Sequence, residues 1–201
     1  MLKSPGDLDP DKEIAGLFTK LGLDEAVVLA CRAALRSLPF LVELNEKLGD
    51  ASIQVFRACA ISLTAGACIR TAKLTGAGTL SDFATEGARR YAVAGSPCYG
   101  TVSAAAAVAR AAAGLNGSYS HAAAMRAAAV AAMRAVDNDR ELKFEILNDA
   151  AGYVNPEFAP YHLASCGLWS GEPPVELARN WSELKYLLSD EQGGFWKTWI
   201  D

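Results

Sequence analysis

Histidine is nearly missing from this chain, with two residues among 201, and no two cysteines stand in C-x-x-C spacing. These absences remove the usual thiolate and imidazole metal motifs, so neither a metal site nor a cofactor is expected. Long apolar runs are missing too. The longest, twelve residues from Ala58 to Ile69 between Arg57 and Arg70, falls short of the about 20 that a bilayer needs. It reads as a buried helix, and no membrane span is expected. There is no surplus of positive charge. Against 19 Lys and Arg stand 23 Asp and Glu, a net charge of −4, which argues against a chain that grips nucleic-acid backbones. Met1 to Asp11 lacks the apolar segment of a secretory leader. Alternating β-branched runs bounded by hairpin signals are likewise absent.

What the chain has is alanine. Ala fills 17 of the 36 positions from Thr101 to Val136. It is the best helix former but offers little area to bury, so such helices must pack backbone close to backbone. Apolar residues reach 51%, enough for a core of ordinary size. The fold expected is all-α: a bundle of about seven to nine helices with an Ala-rich αα-hairpin.

Periodicity places the elements. Ile14, Leu17, Phe18 and Leu21 mark a short helix over 11–21, stopped by Gly22. A second helix runs from Asp24 towards Lys47, with a break predicted near Ser37 to Pro39 because Pro lacks an N–H and clashes with the preceding turn. The third, 52–74, is apolar nearly all round and is expected at the centre of the bundle, with Gly66 admitting a close neighbour. Helices over 81–93, 101–113, 120–136, 138–153 and 175–188 follow. Gly95 to Gly100 reads as a loop. The short segment 114–119 makes the two Ala-rich helices antiparallel neighbours. The domain reading is a disordered arm (1–10), an Ala-rich bundle (11–154), an irregular Pro/Gly-rich segment (155–174) and a Trp-rich helical cap (175–201).

Candidate sites are few, and no catalytic constellation emerges. Glu141, Glu145 and Asp149 share one helix face, but without Glu-x-x-His partners they read as a solvated acidic surface. Arg57, which brackets the most apolar helix, would need an acidic partner if buried. Cys98 with His121, and His162 with Cys166, have the residue types of a nucleophile pair without a local signature that assigns them. The five cysteines, Cys31, Cys59, Cys68, Cys98 and Cys166, form no disulfide framework and point to a reducing cytoplasm. Four large rings, Trp181, Phe195, Trp196 and Trp199, crowd the last 21 residues. They read either as a cap folded onto the bundle or as anchors for a partner.

The stretch Phe56-Arg57-Ala-Cys-Ala-Ile-Ser62, the Ala tracts of 101–136 and the ending Trp181-Ser-Glu-Leu-Lys185 with Trp196-Lys-Thr-Trp199-Ile-Asp201 resemble the N-terminal helical region of Ala-rich bacterial proteins found in alphaproteobacteria. That resemblance carries no activity. It implies that the native chain continues past Asp201, with Trp196 and Trp199 facing a further segment.

Two functional readings remain. The first is an interaction or scaffold domain that docks to a protein partner, a following domain or itself through Trp181, Phe195, Trp196 and Trp199. The second is a small-ligand sensor or enzyme with a pocket between the central helix and the 95–100 or 155–174 loops. Arg57, Cys98, Tyr99, His121 and His162 are its candidate residues.

Overall fold

Helix-forming alanines and leucines with few breakers produce helix at nearly every described position. The structure is a computed structural model that describes residues 10–67, 86, 97–136, 140–153, 164–169 and 171–187. In chain order it contains α1 (Pro10–Phe18), α2 (Leu23–Arg36), a 3-10 helix (Leu38–Lys47), α3 (Leu48–Ala67), α4 (Pro97–Leu115), α5 (His121–Val136), α6 (Arg140–Tyr153) and α7 (Val175–Leu187). No strand occurs among the described residues. Of the disordered arm expected over 1–10, residues 1–9 lie outside them and Pro10 is instead the first residue of α1; the expected helix over 81–93 lies outside them apart from Glu86.

Local chemistry sets the boundaries. Gly22 caps α2, and Glu25 at the third helical position accepts the Gly22 N–H at 2.8 Å, half of a capping box. Helix α2 stops at Arg36, one residue beyond which the chain tightens into the 3-10 helix that contains Pro39. Ser37, buried at this junction, gives its hydroxyl to the Ala34 carbonyl at 2.7 Å, and its own carbonyl accepts from Thr101 Oγ1 at 2.8 Å. The break thus pins α4 to the end of α2. Helix α4 starts at Pro97, four residues before the expected start. Pro at the first helical position sacrifices no intrahelical hydrogen bond, so Cys98 to Gly100 are helical and the expected loop does not reach Gly100.

Helix α4 ends in a Schellman motif. The Ser118 N–H reaches Ala113 O at 3.0 Å, the Gly117 N–H reaches Gly114 O at 3.2 Å, and Gly117 has φ 85°. This left-handed residue suits glycine. Ser120 Oγ then accepts from the Ala123 N–H at 3.3 Å and starts α5.

The centre of the bundle is α2, not α3. Every residue from Ala26 to Arg36 is buried, and α2 packs against α3, α4, α5 and α6. Helix α3, expected there, exposes Arg57 and Thr64 while burying Val55, Phe56, Cys59 and Ala65. The sequence misleads here because α2 carries Arg32 and Arg36, which look like a solvent face but are neutralised inside. Helix α4 is the second core helix, buried from Thr101 to Ala109 and again from Ala111 to Ala113.

Small residues allow this density. A Cβ on Gly114 would collide with the Cβ of Ala124 on α5. A Cβ on Gly66 of α3 would lie 2.8 Å from Val28 Cγ2 and 3.0 Å from Val27 Cγ1 of α2. Helix α7 closes one side by burying Leu177 and Leu184 and packing on the 3-10 helix. Helix α1 lies against α5 and α6, with Lys143 Nζ 2.8 Å from Glu13 Oε2.

Candidate functional site

Arg32 and Arg36 stand one turn apart on α2, so both point to the same side. Asp149 approaches that side from α6. Its carboxylate accepts from Arg32 Nε at 2.8 Å and Nη2 at 3.2 Å, and from Arg36 Nη1 at 2.6 Å and Nη2 at 3.1 Å. Glu145, one turn earlier on α6, lies 3.6 Å from Arg36 Nη2. Two cations therefore meet two carboxylates, and the cluster is neutral as a whole. All but Glu145 are buried, and Arg36 is fully inaccessible. A buried guanidinium must place its N–H groups on acceptors. Three consecutive backbone carbonyls supply the rest: Cys166 O and Gly167 O accept from Arg32 at 3.1 and 2.6 Å, and Leu168 O from Arg36 Nε at 2.6 Å. The Trp169 ring lies 5.6 Å from the Arg36 guanidinium carbon, a cation–π contact.

This cluster fastens the 164–169 segment to α2, and beside it opens a cavity of about 610 Å³. Arg32 and residues 166–169 line it. Leu35, Leu38 and Leu63 supply apolar surface. Helix α7 contributes Ala178, Trp181, Ser182 and Lys185, whose i, i+3, i+4 and i+7 spacing makes them one stripe along the helix. Trp181 Nε1 is buried with no hydrogen-bond partner. Arg32 and Lys185 give the described lining two cations, and no described lining residue is Asp or Glu.

The residues singled out from sequence fall elsewhere. Arg57 is exposed on α3 and needs no buried partner. Cys98 is buried in the first turn of α4 and Tyr99 half-buried beside it, whereas His121 is exposed at the start of α5. Ala124, three residues past His121, packs at Gly114. That contact sits 16 residues along α4 from Cys98, about 24 Å at the helical rise, so Cys98 and His121 form no pair. None of these four residues is among the described residues around the cavity. His162, Phe195, Trp196 and Trp199 lie outside the described residues. Trp181 is half-buried, on the cavity wall.

The expected acidic surface of α6 is corrected at Asp149, which is buried and ion-paired, and at Glu145, which is half-buried. Arg32 and Arg36 are the residues that sequence reasoning passed over. Their signal was two arginines at i, i+4 within Val27-Val-Leu-Ala-Cys-Arg-Ala-Ala-Leu-Arg36, with acids at i, i+4 on a later helix.

Cys31 and Cys59 meet inside the core, where the Cys31 thiol donates to Cys59 O at 3.1 Å. Burial pushes the Cys31 thiol well above its ordinary value, and neighbouring Cys59 adds to the shift. Cys31, Cys59 and Cys98 are buried free thiols, while Cys166 is exposed on the cavity wall. Among the described residues no group of His, Cys, Asp or Glu has the arrangement to hold a metal ion, and no helix is long and apolar enough to cross a membrane.

No family model, no curated protein and no solved structure matches the chain.

Proposed function

We propose that this chain is a small-molecule-binding module whose site is the cavity between α2, the 164–169 segment and α7. One observation carries the reading: a half-open recess of about 610 Å³ is lined by apolar side chains together with two tryptophans, Arg32 and Lys185. That is the usual composition of a ligand pocket, apolar for affinity with a few polar groups for orientation. Its wall is also preorganised, since the Arg32–Arg36–Asp149 cluster fixes three successive carbonyls before any ligand arrives. Buried free thiols suit a reducing compartment, which supports a cytoplasmic location.

The reading is tested by thermal-shift screening of small organic molecules against the native chain and Ala178→Leu, which narrows the cavity from α7. A ligand present at about 100 times its Kd stabilises the folded state by about 2.7 kcal/mol. Compounds that raise the Tm of the native chain and leave Ala178→Leu unmoved bear it out. A broad library that moves neither protein removes it.

A second reading is favoured by the outer faces of α6 and α7. Phe144, Val175 and Tyr186 are 71, 86 and 77% exposed, positions at which a protein partner, a following domain or a second copy would gain apolar contact. Light scattering on a sizing column tests self-association: a dimer dispersed by Phe144→Ser or Tyr186→Ser supports it, and a monomer at all concentrations excludes a second copy as occupant.

A further inference from the structure

We infer that Cys31 and Cys59 form a redox-sensitive bolt between α2 and α3: oxidation joins their sulfurs in a disulfide, and reduction returns the two thiols. The pair lies in the core, and the inference does not rest on the ligand-binding reading.

Contact is the first ground. The two free thiols come from neighbouring helices and are both fully buried. The Cys31 thiol donates to the Cys59 carbonyl at 3.1 Å, and the Cys59 side chain is within hydrogen-bonding reach of the same thiol. The Leu63 N–H, one turn further along α3, faces that sulfur too. The Cys31 side chain therefore lies against the backbone of α3 beside Cys59. The carbonyl carbon and the Cβ of Cys59 hang from one Cα, so side-chain rotation governs the approach of the two sulfurs. A disulfide needs Cα atoms within about 7 Å and side chains that face each other. Close packing of α2 on α3 favours this: a Cβ on Gly66 of α3 would lie 2.8 Å from Val28 Cγ2 of α2.

Burial sets the rate. It pushes the Cys31 thiol up, and the thiolate is the form that reacts, so the pair is inert while α2 and α3 stay packed. Helix α3 carries the exposed Arg57 and Thr64 and is the element that opens, a local excursion of the kind that precedes global unfolding. The bolt thus answers sustained oxidation and ignores a brief pulse. The oxidant is a hydroperoxide. One thiolate sulfur attacks an oxygen of hydrogen peroxide, the O–O bond breaks, and a sulfenic acid and water result. The other sulfur attacks the sulfenic sulfur, the S–S bond forms, the S–O bond breaks, and a second water leaves. The two thiols lose two electrons and two protons, and the peroxide is reduced to two waters. A dithiol reductant reverses the step by exchange.

The test uses the full native chain, fully reduced and then held in hydrogen peroxide under native conditions. Remaining thiols are alkylated after denaturation, and the digest is read by mass spectrometry without reductant. The expected result is a linked peptide joining Cys31 to Cys59, which accumulates more slowly than the exposed Cys166 thiol is oxidised. The bridge spans 28 positions, so the oxidised chain should unfold about 5 °C or more above the reduced one. Dithiothreitol should remove the linked peptide and the gain in Tm together, and Cys59→Ala should show no gain on the same treatment. The inference is overturned if Cys31 and Cys59 are recovered as alkylated thiols after exposure long past complete oxidation of Cys166, or if they pair with other cysteines instead. It is equally overturned if the linked peptide forms only in urea, or if the linked chain unfolds below the reduced one.

Discussion

Asp149 faces two buried guanidiniums, with Glu145 as a second acid farther from Arg36. Replacing it leaves positive charge in a medium that solvates it poorly. Asp149→Ala is expected to lose about 3–5 kcal/mol, the usual result of removing one partner of a buried ion pair. Urea unfolding monitored by circular dichroism measures it, and a loss below about 1 kcal/mol would mean that Arg32 and Arg36 find water instead. Cys31 gives a pH-dependent prediction. Its thiol titrates well above the ordinary 9.0 because burial disfavours the thiolate. Below pH 9 both states hold the proton and nothing changes. Above it the unfolded chain releases the proton while the folded one keeps it, so stability falls by up to about 1.4 kcal/mol per pH unit. Comparing the native chain with Cys31→Ala at pH 8 and pH 10 isolates this contribution: the variant should lose less on the same rise. At this scale the sequence was least legible. Nothing in one chain tells that Arg32 and Asp149, 117 positions apart, will meet, and an isolated charged residue is ordinarily read as solvated.

Glycine to alanine is expected to act with opposite signs on different helices. In Gly16→Ala the new methyl meets nothing within 4 Å at an exposed position of α1, so the gain in helix propensity of about 0.5–1 kcal/mol stands. At Gly114 the same methyl collides with Ala124, and at Gly66 it presses on Val27 and Val28. Overpacking of this kind costs about 1–3 kcal/mol and outweighs propensity. Chemical denaturation of the three variants gives the signs directly, and Ala124→Gly added to Gly114→Ala should recover part of the loss. Element type was the most legible level, because the 3.6-residue period, the Gly stops and Pro39 are local signals. The close approach at Gly66 was readable from its size. The early start of α4 was missed because Pro97 reads equally as the end of a loop and as a first helical residue. The bundle centre was misassigned because apolarity alone ranked α3 above α2, whereas paired arginines let α2 be buried along its whole second half.

For the molecule as a whole, protection should follow burial. Amides of Ala26 to Arg36 and of Thr101 to Ala109 lie in the two most enclosed helices and are expected to exchange only through global unfolding, while those of α1 and α7 open locally. Hydrogen-exchange mass spectrometry checks the ranking, and equal protection of α7 and α2 would contradict it. All-helical architecture was legible from composition and the lack of strand patterns. The cavity was not, because its lining brings together residues of α2, the 3-10 helix, α3, the 164–169 segment and α7, and no local pattern marks such a meeting.

The three carbonyls of 166–168 seated on Arg32 and Arg36 bind distant parts of the chain into one lever. Whatever moves α6 relative to α2 shifts the carboxylate, the guanidiniums follow it, and the recess changes shape without any of its own side chains being replaced. If the recess holds a ligand as proposed, variation along the far side of α6 would tune its selectivity at a distance, and a filled recess would in turn tighten the seat of α6.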